Sequence, residues 1–288
     1  MPAFGALHPS ANVISFYLLD RLKPLAYAAI HFFIEGHVAQ TPYKAPFGSL
    51  ECSENIHPRV LYRFLEKIEH QLKHRGATEI LMRNPPRAYA PEKWSMVETF
   101  LLNQKYTVAE AEVGTVLPVT GNAFIERIRP AEKLRGRQGR DAGFVFKNLT
   151  MNRLDEVFHF ISTCHLGKGY RLPITQAELE RTVRSFPDRY VLFAILHEER
   201  IIAAAVGIRI TKGILYNFLV NHEKVFNHLS PPVLLMEGIY NFCCEHAIRL
   251  MDLGTSALRG KPNFTLLDFK LHMGGVATSK LSFHKKTG

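Results

Sequence analysis

Apolar and polar positions along this chain alternate with two different periods, and the change from one to the other marks out its elements. In the second half, "GFVFKNLT" (143–150) reads as a short strand and "MNRLDEVFHFISTCHL" (151–166) as an amphipathic helix. The turn "GKGYRLP" follows, then a second helix whose start at Thr175 and Glu178 carries the Thr-x-x-Glu spacing of a capping box. Three strands at meander spacing come next: "RYVLFAIL", "RIIAAAVGIRI" and "GILYNFLV", separated by "HEE" and "TK". A helix opening on Ser230, Pro231 and Pro232, the strand "LMDLGTS", the helix "NFTLLDFKLHM" and the strand "VATSKLSFHKK" complete the half. The predicted order is β-α-α-β-β-β-α-β-α-β.

The first half predicts a shorter version of that order. "NVISFYLLD" and "LAYAAIHFFI" pair as strands, and "HPRVLYRFLEKIEHQLKHRG" is an amphipathic helix ending at Gly76. "TEILMRN" is a strand, "PEKWSMVETFLLNQ" a helix and "KYTVAEAEVGTVLPV" a closing strand or hairpin. Only the initial β-α-α is missing, so the chain reads as two copies of one α/β unit with a mixed sheet, the N-terminal copy truncated.

Between the halves lies "ERIRPAEKLRGRQGRDAGFVFK", dense in arginine and broken by Pro130, Gly136, Gly139 and Gly143. The expected division is an N-terminal domain over 1–120, a basic linker over 121–142 and a C-terminal domain over 143–288. The segment holds much of the formal net charge of +10, which attracts phosphate-rich ligands. Arg135, Arg137 and Arg140 either contribute to that field or form a solvated face.

Composition adds mostly exclusions. At 47% hydrophobic and 22% charged, this is an ordinary globular chain of 288 residues. The most apolar run, near residues 13–34, is interrupted by Asp20, Arg21 and Lys23, so no membrane insertion is expected. The first ten residues resemble no secretion signal, which makes a cytoplasmic location the expectation. Four cysteines at scattered positions form no disulfide framework, and Cys243 with His246 lacks a second ligand pair, so no metal is expected.

Ser230 is well suited to cap the helix that Pro231 starts. The motifs "KLRGRQGRDAGFVF", "SPPVLL", "LMDLGTS" and "FKLHMGG", in that order, resemble the GNAT acyltransferase fold, and the tandem arrangement resembles its FemAB-like branch. "PYKAPFGS" in the first half adds to the likeness. The resemblance implies transfer of an acyl group to an amine, a small molecule or a peptide, from acetyl-CoA or another acyl-CoA. In the peptidoglycan-bridge relatives the donor is aminoacyl-tRNA instead. A catalytically silent module that holds a nucleotide or RNA is the third class.

The family's glycine-rich pyrophosphate loop is replaced here by "FNHLSPP". Because proline lacks an N–H, Val233 and Leu234 become the first backbone donors for a phosphate. In such a fold the fourth and fifth strands splay apart, which places Tyr216, Asn217 and Ser230 near the donor and Asp252 as the nearest carboxylate. Tyr216 would protonate the leaving group, and Asp252 would steer the ammonium or relay its proton. A carboxylate in so apolar a strand needs a partner, and Lys270 and Arg259 are available. Lys270 serves either that pair or the donor. Lys168, Tyr170 and Arg171 fall in the loop where this fold contacts its acceptor, and Tyr43 and Phe47 would line the acceptor side from the first half.

Overall fold

The computed structural model describes residues 12–287 apart from 21, 23, 24, 54, 170 and 259. The chain divides into two compact units. Unit 1 comprises residues 1–113, 257–261 and 278–288; unit 2 comprises 114–256 and 262–277.

In unit 1, strands β1 (Asn12–Leu19), β2 (Ala26–Glu35), β3 (Val38–Thr41) and β5 (Glu79–Arg83) lie in that order, with the two-residue β4 (Glu51–Cys52) added beside β2. The pairs β1–β2 and β2–β3 are antiparallel and β3–β5 is parallel. Helix α1 (Pro58–His74) buries Leu61, Phe64, Leu65, Ile68 and Leu72, the i, i+3, i+4 stripe its sequence predicts. It joins α2 (Pro91–Asn103), which contributes Trp94, Val97 and Leu101 to the same core.

In unit 2, β6 (Thr107–Pro118), β11 (Leu250–Thr255), β10 (Ile214–His222), β9 (Arg200–Thr211), β8 (Tyr190–His197) and β7 (Val145–Leu149) form a sheet in that order. Only the part of β6 from Gly114 onward belongs to this unit. The β8–β9 and β9–β10 pairs are antiparallel and β10–β11 is parallel, the same succession of directions as β1, β2, β3 and β5. The repeat is therefore real, and the N-terminal copy lacks the first strand and the two helices after it.

One face of this sheet packs against α5 (Leu154–Leu166) and α6 (Gln176–Ser185). The Thr175 capping box at the start of α6 is present in both directions. The other face packs against α7 (Pro231–Glu245), an apolar helix with ten buried residues.

Two expectations change. The closing strands are exchanged between the halves of the sequence. The last strand, β12 (Val276–Lys286), pairs antiparallel with β5 in unit 1, and the end of β6 pairs antiparallel with β11 in unit 2. An alternating strand shows which face is buried but not which neighbour it will bond. The second change concerns 121–142, which is no open linker. Its residues form α3 (Phe124–Arg127) and α4 (Pro130–Asp141), and α4 packs on α7 through Gly136 and Gly139. A Cβ at Gly139 would stand 3.0 Å from Leu234 Cδ1, so these glycines are contact residues rather than helix breakers. Arg135 bonds Glu132 and Arg140 bonds Glu237 at 2.6 Å, so of Arg135, Arg137 and Arg140 two are engaged in ion pairs.

Ser230 also departs from expectation. It sits in the left-handed region at φ 46° and ψ 63°, and its side chain makes no capping bond. The sharp entry into α7 comes instead from its backbone, with the N–H donating to Phe226 O at 3.1 Å and the carbonyl accepting from Val233 N–H at 2.9 Å. Because a side chain in that region is strained, Ser230→Gly is expected to raise stability by up to about 1 kcal/mol, read as a shift in the denaturation midpoint. A loss of stability on that change would show that the hydroxyl has a role of its own.

Candidate active site

Strands β10 and β11 run side by side only through Ile214–Leu250, Leu215–Met251 and Tyr216–Asp252. Both then kink away from their outer neighbours. On β10, Asn217 faces Gly207 and Leu219 faces Val206, so Phe218 is an extra residue against β9. On β11, Asp252 faces Val116 and Thr255 faces Gly114, which leaves one extra residue around Leu253 and Gly254. A bulge bends and twists its strand. Bulges on both strands at the same level bend them where their pairing ends.

The side chains at this fork are specific. Tyr216 is half-buried, with its ring edge 3.7 Å from where a Cβ on Gly254 would be. Asn217 carries a buried Oδ1 with no hydrogen-bond partner among the described residues. Asp252 is 1% exposed, and its Oδ1 accepts from the Gly254 N–H at 2.7 Å, a short loop closure that Gly254 permits at φ +74°. A carboxylate so enclosed does not meet an incoming ammonium. Its Oδ1 closes the turn at the end of β11.

Lys270 reaches the same place from α8 (Phe264–His272). It is 6% exposed, and its Nζ donates to the Gly254 carbonyl at 3.0 Å and the Thr255 carbonyl at 2.9 Å. Burial lowers its pKa to about 8, against which the charge of Asp252 pulls upward. The Lys270 ammonium thus clamps the end of β11 through two backbone carbonyls, and the Asp252 carboxylate acts on it through its charge. Arg259 lies outside the described residues.

This burial has a pH consequence. Between about 8 and the ordinary 10.5 the unfolded chain binds more protons at this site than the folded one, so the Lys270 contribution to stability rises with pH over that window. The parent minus Lys270→Met difference in unfolding free energy should therefore increase from pH 8 to pH 10. A flat difference would mean that Lys270 titrates normally.

At the start of α7, Pro231 occupies the first turn and Val233 N–H is bonded to Ser230 O. The side chains of Val233 and Leu234 are buried beneath Gly136 and Gly139 of α4. The expectation that Val233 offers a free backbone donor to a phosphate is thereby corrected, and neither residue has a side chain directed to a ligand.

Residues 124–265 match the family described as the acetyltransferase (GNAT) domain. The chain has the tandem GNAT fold of the FemAB-like kind. The crystal structure of FemX superimposes with a TM-score of 0.73 at 10% identity, covering 99% of this chain and 91% of that one. L-PGS from Bacillus licheniformis does so at 0.60 and 16% identity, covering 99% and 86%. A tandem GNAT protein from the clavulanic acid biosynthesis pathway gives 0.54 at 10% identity, covering 97% and 84%. At these identities the likeness is one of fold. No curated protein sequence matches the chain.

Within the GNAT unit, the expected acceptor loop follows α5. Lys168 is half-buried and bonded to Asn221 Oδ1 at 2.5 Å, Arg171 is exposed, and Tyr170 lies outside the described residues. Tyr43 and Phe47 belong to unit 1, where Tyr43 stacks on Phe33 at 5.0 Å and Phe47 meets Tyr89 edge-on at 5.6 Å. Burial pushes the Cys243 thiol up to about 12, which removes it as a nucleophile. Among the described residues no group of three or more metal-ligating side chains gathers, and no helix is long and apolar enough to cross a membrane.

Sequence reasoning missed the supports of the fork. Gly275 fits between Thr115 and the Lys270 carbonyl, where a Cβ would come within 2.5 Å of Thr115 Cγ2 and 2.6 Å of Lys270 O. Thr115 and Ser256 are fully buried, with hydroxyls that have no partner among the described residues. The Gly-Gly pair in "FKLHMGG" was the one available signal.

Proposed function

We propose that this chain is an N-acyltransferase that moves an acyl group from a coenzyme A thioester to the amine of a small molecule or peptide, in the cleft where β10 and β11 part. The observation that supports it most is the double bulge at Tyr216 and Asp252. A parallel pair forced open leaves strand groups of β10 without a partner on β11, whose Gly254 and Thr255 are held by Asp252 and Lys270, and an amide-bearing pantetheine arm can satisfy those of β10 as an added strand would. Asn217 lies beside Tyr216 at the fork, and its buried Oδ1, without a partner among the described residues, becomes an acceptor for an N–H of the arm once the strands part around it. Ser230 stands at the entry to α7, where the arm would leave the cleft.

Aminolysis joins a neutral amine to the thioester carbonyl and expels a thiolate, which must gain a proton. Tyr216 is the hydroxyl at the fork and supplies that proton, and the proton that the amine nitrogen sheds as the amide forms returns the Tyr216 phenolate to the phenol, so the step is proton-neutral. Lys270 and Asp252 hold β11 in place without touching the reacting atoms, so they are positioning residues. A cytoplasmic setting is consistent with such a donor.

A second reading, transfer from aminoacyl-tRNA, is favoured by the closed start of α7. With Val233 N–H engaged and two prolines ahead of it, that helix gives a coenzyme pyrophosphate little backbone to hold. Isothermal titration with acetyl-CoA and with aminoacyl-tRNA, followed by single-turnover transfer to a panel of amines under mass spectrometry, separates the readings. Acyl transfer from the thioester supports the first, and transfer only from the charged tRNA replaces it with the second. Binding of either without transfer assigns the fold a silent, ligand-holding role.

A further inference from the structure

The far end of β10 carries a polar cluster that acyl transfer at Tyr216 does not use. At its centre Asn221, 4% exposed, accepts through Oδ1 from Lys168 Nζ at 2.5 Å and from the His222 backbone N–H at 2.9 Å. With the oxygen so fixed, Asn221 Nδ2 donates to His165 Nδ1 at 2.7 Å, which leaves the proton of a neutral His165 on Nε2. His222 Nε2 donates to Asn227 Oδ1 at 2.8 Å, and Lys224 Nζ donates to the Gly167 carbonyl at 3.2 Å. Four basic side chains thus converge from the end of α5, the turn after it, the end of β10 and the turn that follows.

Little negative charge faces them. The acidic groups nearby are the Cys164 thiol, itself held above its ordinary pKa by burial, and Glu223, whose carboxylate is bonded to Arg200 at 2.5 Å. Among the described residues none of the four is in an ion pair with a carboxylate. His165, His222 and Lys168 are all half-buried. Burial is the largest cause that lowers the pKa of each, the Lys168 charge lowers both histidines further, and Lys224 lowers Lys168. Like charges drawn partly out of water without a counterion oppose folding, and a bound anion removes that opposition.

We propose that Lys168, His165, His222 and Lys224, arranged around Asn221, bind an oxyanion group, phosphate or carboxylate, on the ligand that occupies the cleft. The assignment rests on the cleft reading above. At about 3.3 Å per residue, Asn221 lies about 16 Å along β10 from Tyr216, so the anion stands well away from the reacting carbonyl. It belongs either to the donor, as a coenzyme phosphate, or to an acidic group on an elongated acceptor.

Inorganic phosphate is the probe, because it reports on this site without turnover. The ring protons of His165 and His222, assigned with His165→Asn and His222→Asn variants, are followed by NMR against pH in phosphate and in chloride at equal ionic strength. Phosphate should raise both pKa values and should raise the melting temperature more at pH 6 than at pH 8, since it binds the protonated cluster. Lys168→Gln should weaken phosphate binding by about tenfold, while Lys168→Arg, which keeps the charge, restores it.

Identical histidine titrations in phosphate and chloride, or parent-like phosphate affinity in a folded Lys168→Gln, overturns the proposal. Competition then identifies the source. Displacement of phosphate by coenzyme A but not by pantetheine assigns the anion to the donor, and displacement by neither assigns it to the acceptor. Displacement by both equally means the pantetheine arm itself fills the place, which also overturns the proposal. If phosphate binds but no acyl transfer is found, the cleft reading fails and the anion site stands.

Discussion

Tyr216→Phe is expected to lower kcat by roughly 10²–10⁴-fold, the size of a lost acid catalyst, while donor affinity is kept. The hydroxyl is the one polar atom removed, and the ring retains its packing beside Gly254 and Phe218. Because the proton is needed only as the thiolate leaves, the loss should fall on kcat and kcat/KM together and leave the donor dissociation constant unchanged. Steady-state turnover, donor titration and a thermal melt of the same preparation check this. Turnover like the parent's would make Tyr216 an aromatic of the cleft wall and move the acid to another group. A parallel loss of donor affinity would make the hydroxyl a binding contact.

The second large effect is structural. Gly275→Ala should destabilise unit 2 by about 3 kcal/mol, the upper end for overpacking, and lower the melting temperature by about 6–12 °C. The added methyl would lie 2.5 Å from Thr115 Cγ2 and 2.6 Å from Lys270 O. A side chain can shift, but the Lys270 carbonyl belongs to the last turn of α8 and already accepts the Gly275 N–H at 3.0 Å. Moving it draws Lys270 Nζ away from the carbonyls of Gly254 and Thr255, so the fork loosens and activity falls with stability. Adding Thr115→Ser removes the methyl side of the clash and should recover part of the loss. If Gly275→Ala melts with the parent, the close approach is relieved by a movement too small to matter and Gly275 has no special role.

Most of the secondary structure was legible in the sequence because it is local. Leu61, Phe64, Leu65, Ile68 and Leu72 repeat at helical spacing, and α1 buries those residues. Thr175 and Glu178 predicted a capping box, which is present. The tandem repeat also came through, since the order of strand and helix periods is a property of the chain itself.

The failures share a cause. Ser230 has the residue type of a cap but not the backbone for it, because the two bonds around Phe226 and Val233 hold it in the left-handed region. Gly136 and Gly139 look like linker glycines until α7 is laid against them. Asp252 and Lys270 were singled out, but their roles depend on a burial that one strand's pattern does not reveal.

The elements, their order, the repetition of one unit and the residue types available for chemistry thus follow from the chain alone, because hydrophobic period and turn chemistry act over a few neighbouring residues. Which strand closes each sheet, where β10 and β11 part, and which charged groups are enclosed are settled by long-range packing. Those outcomes depend on hydrogen-bond partners and packing neighbours far apart in the chain: Asp252 against Val116, Lys270 against Gly254, and Asn221 against His165. Their pairing is set by the whole sheet, not by any local pattern.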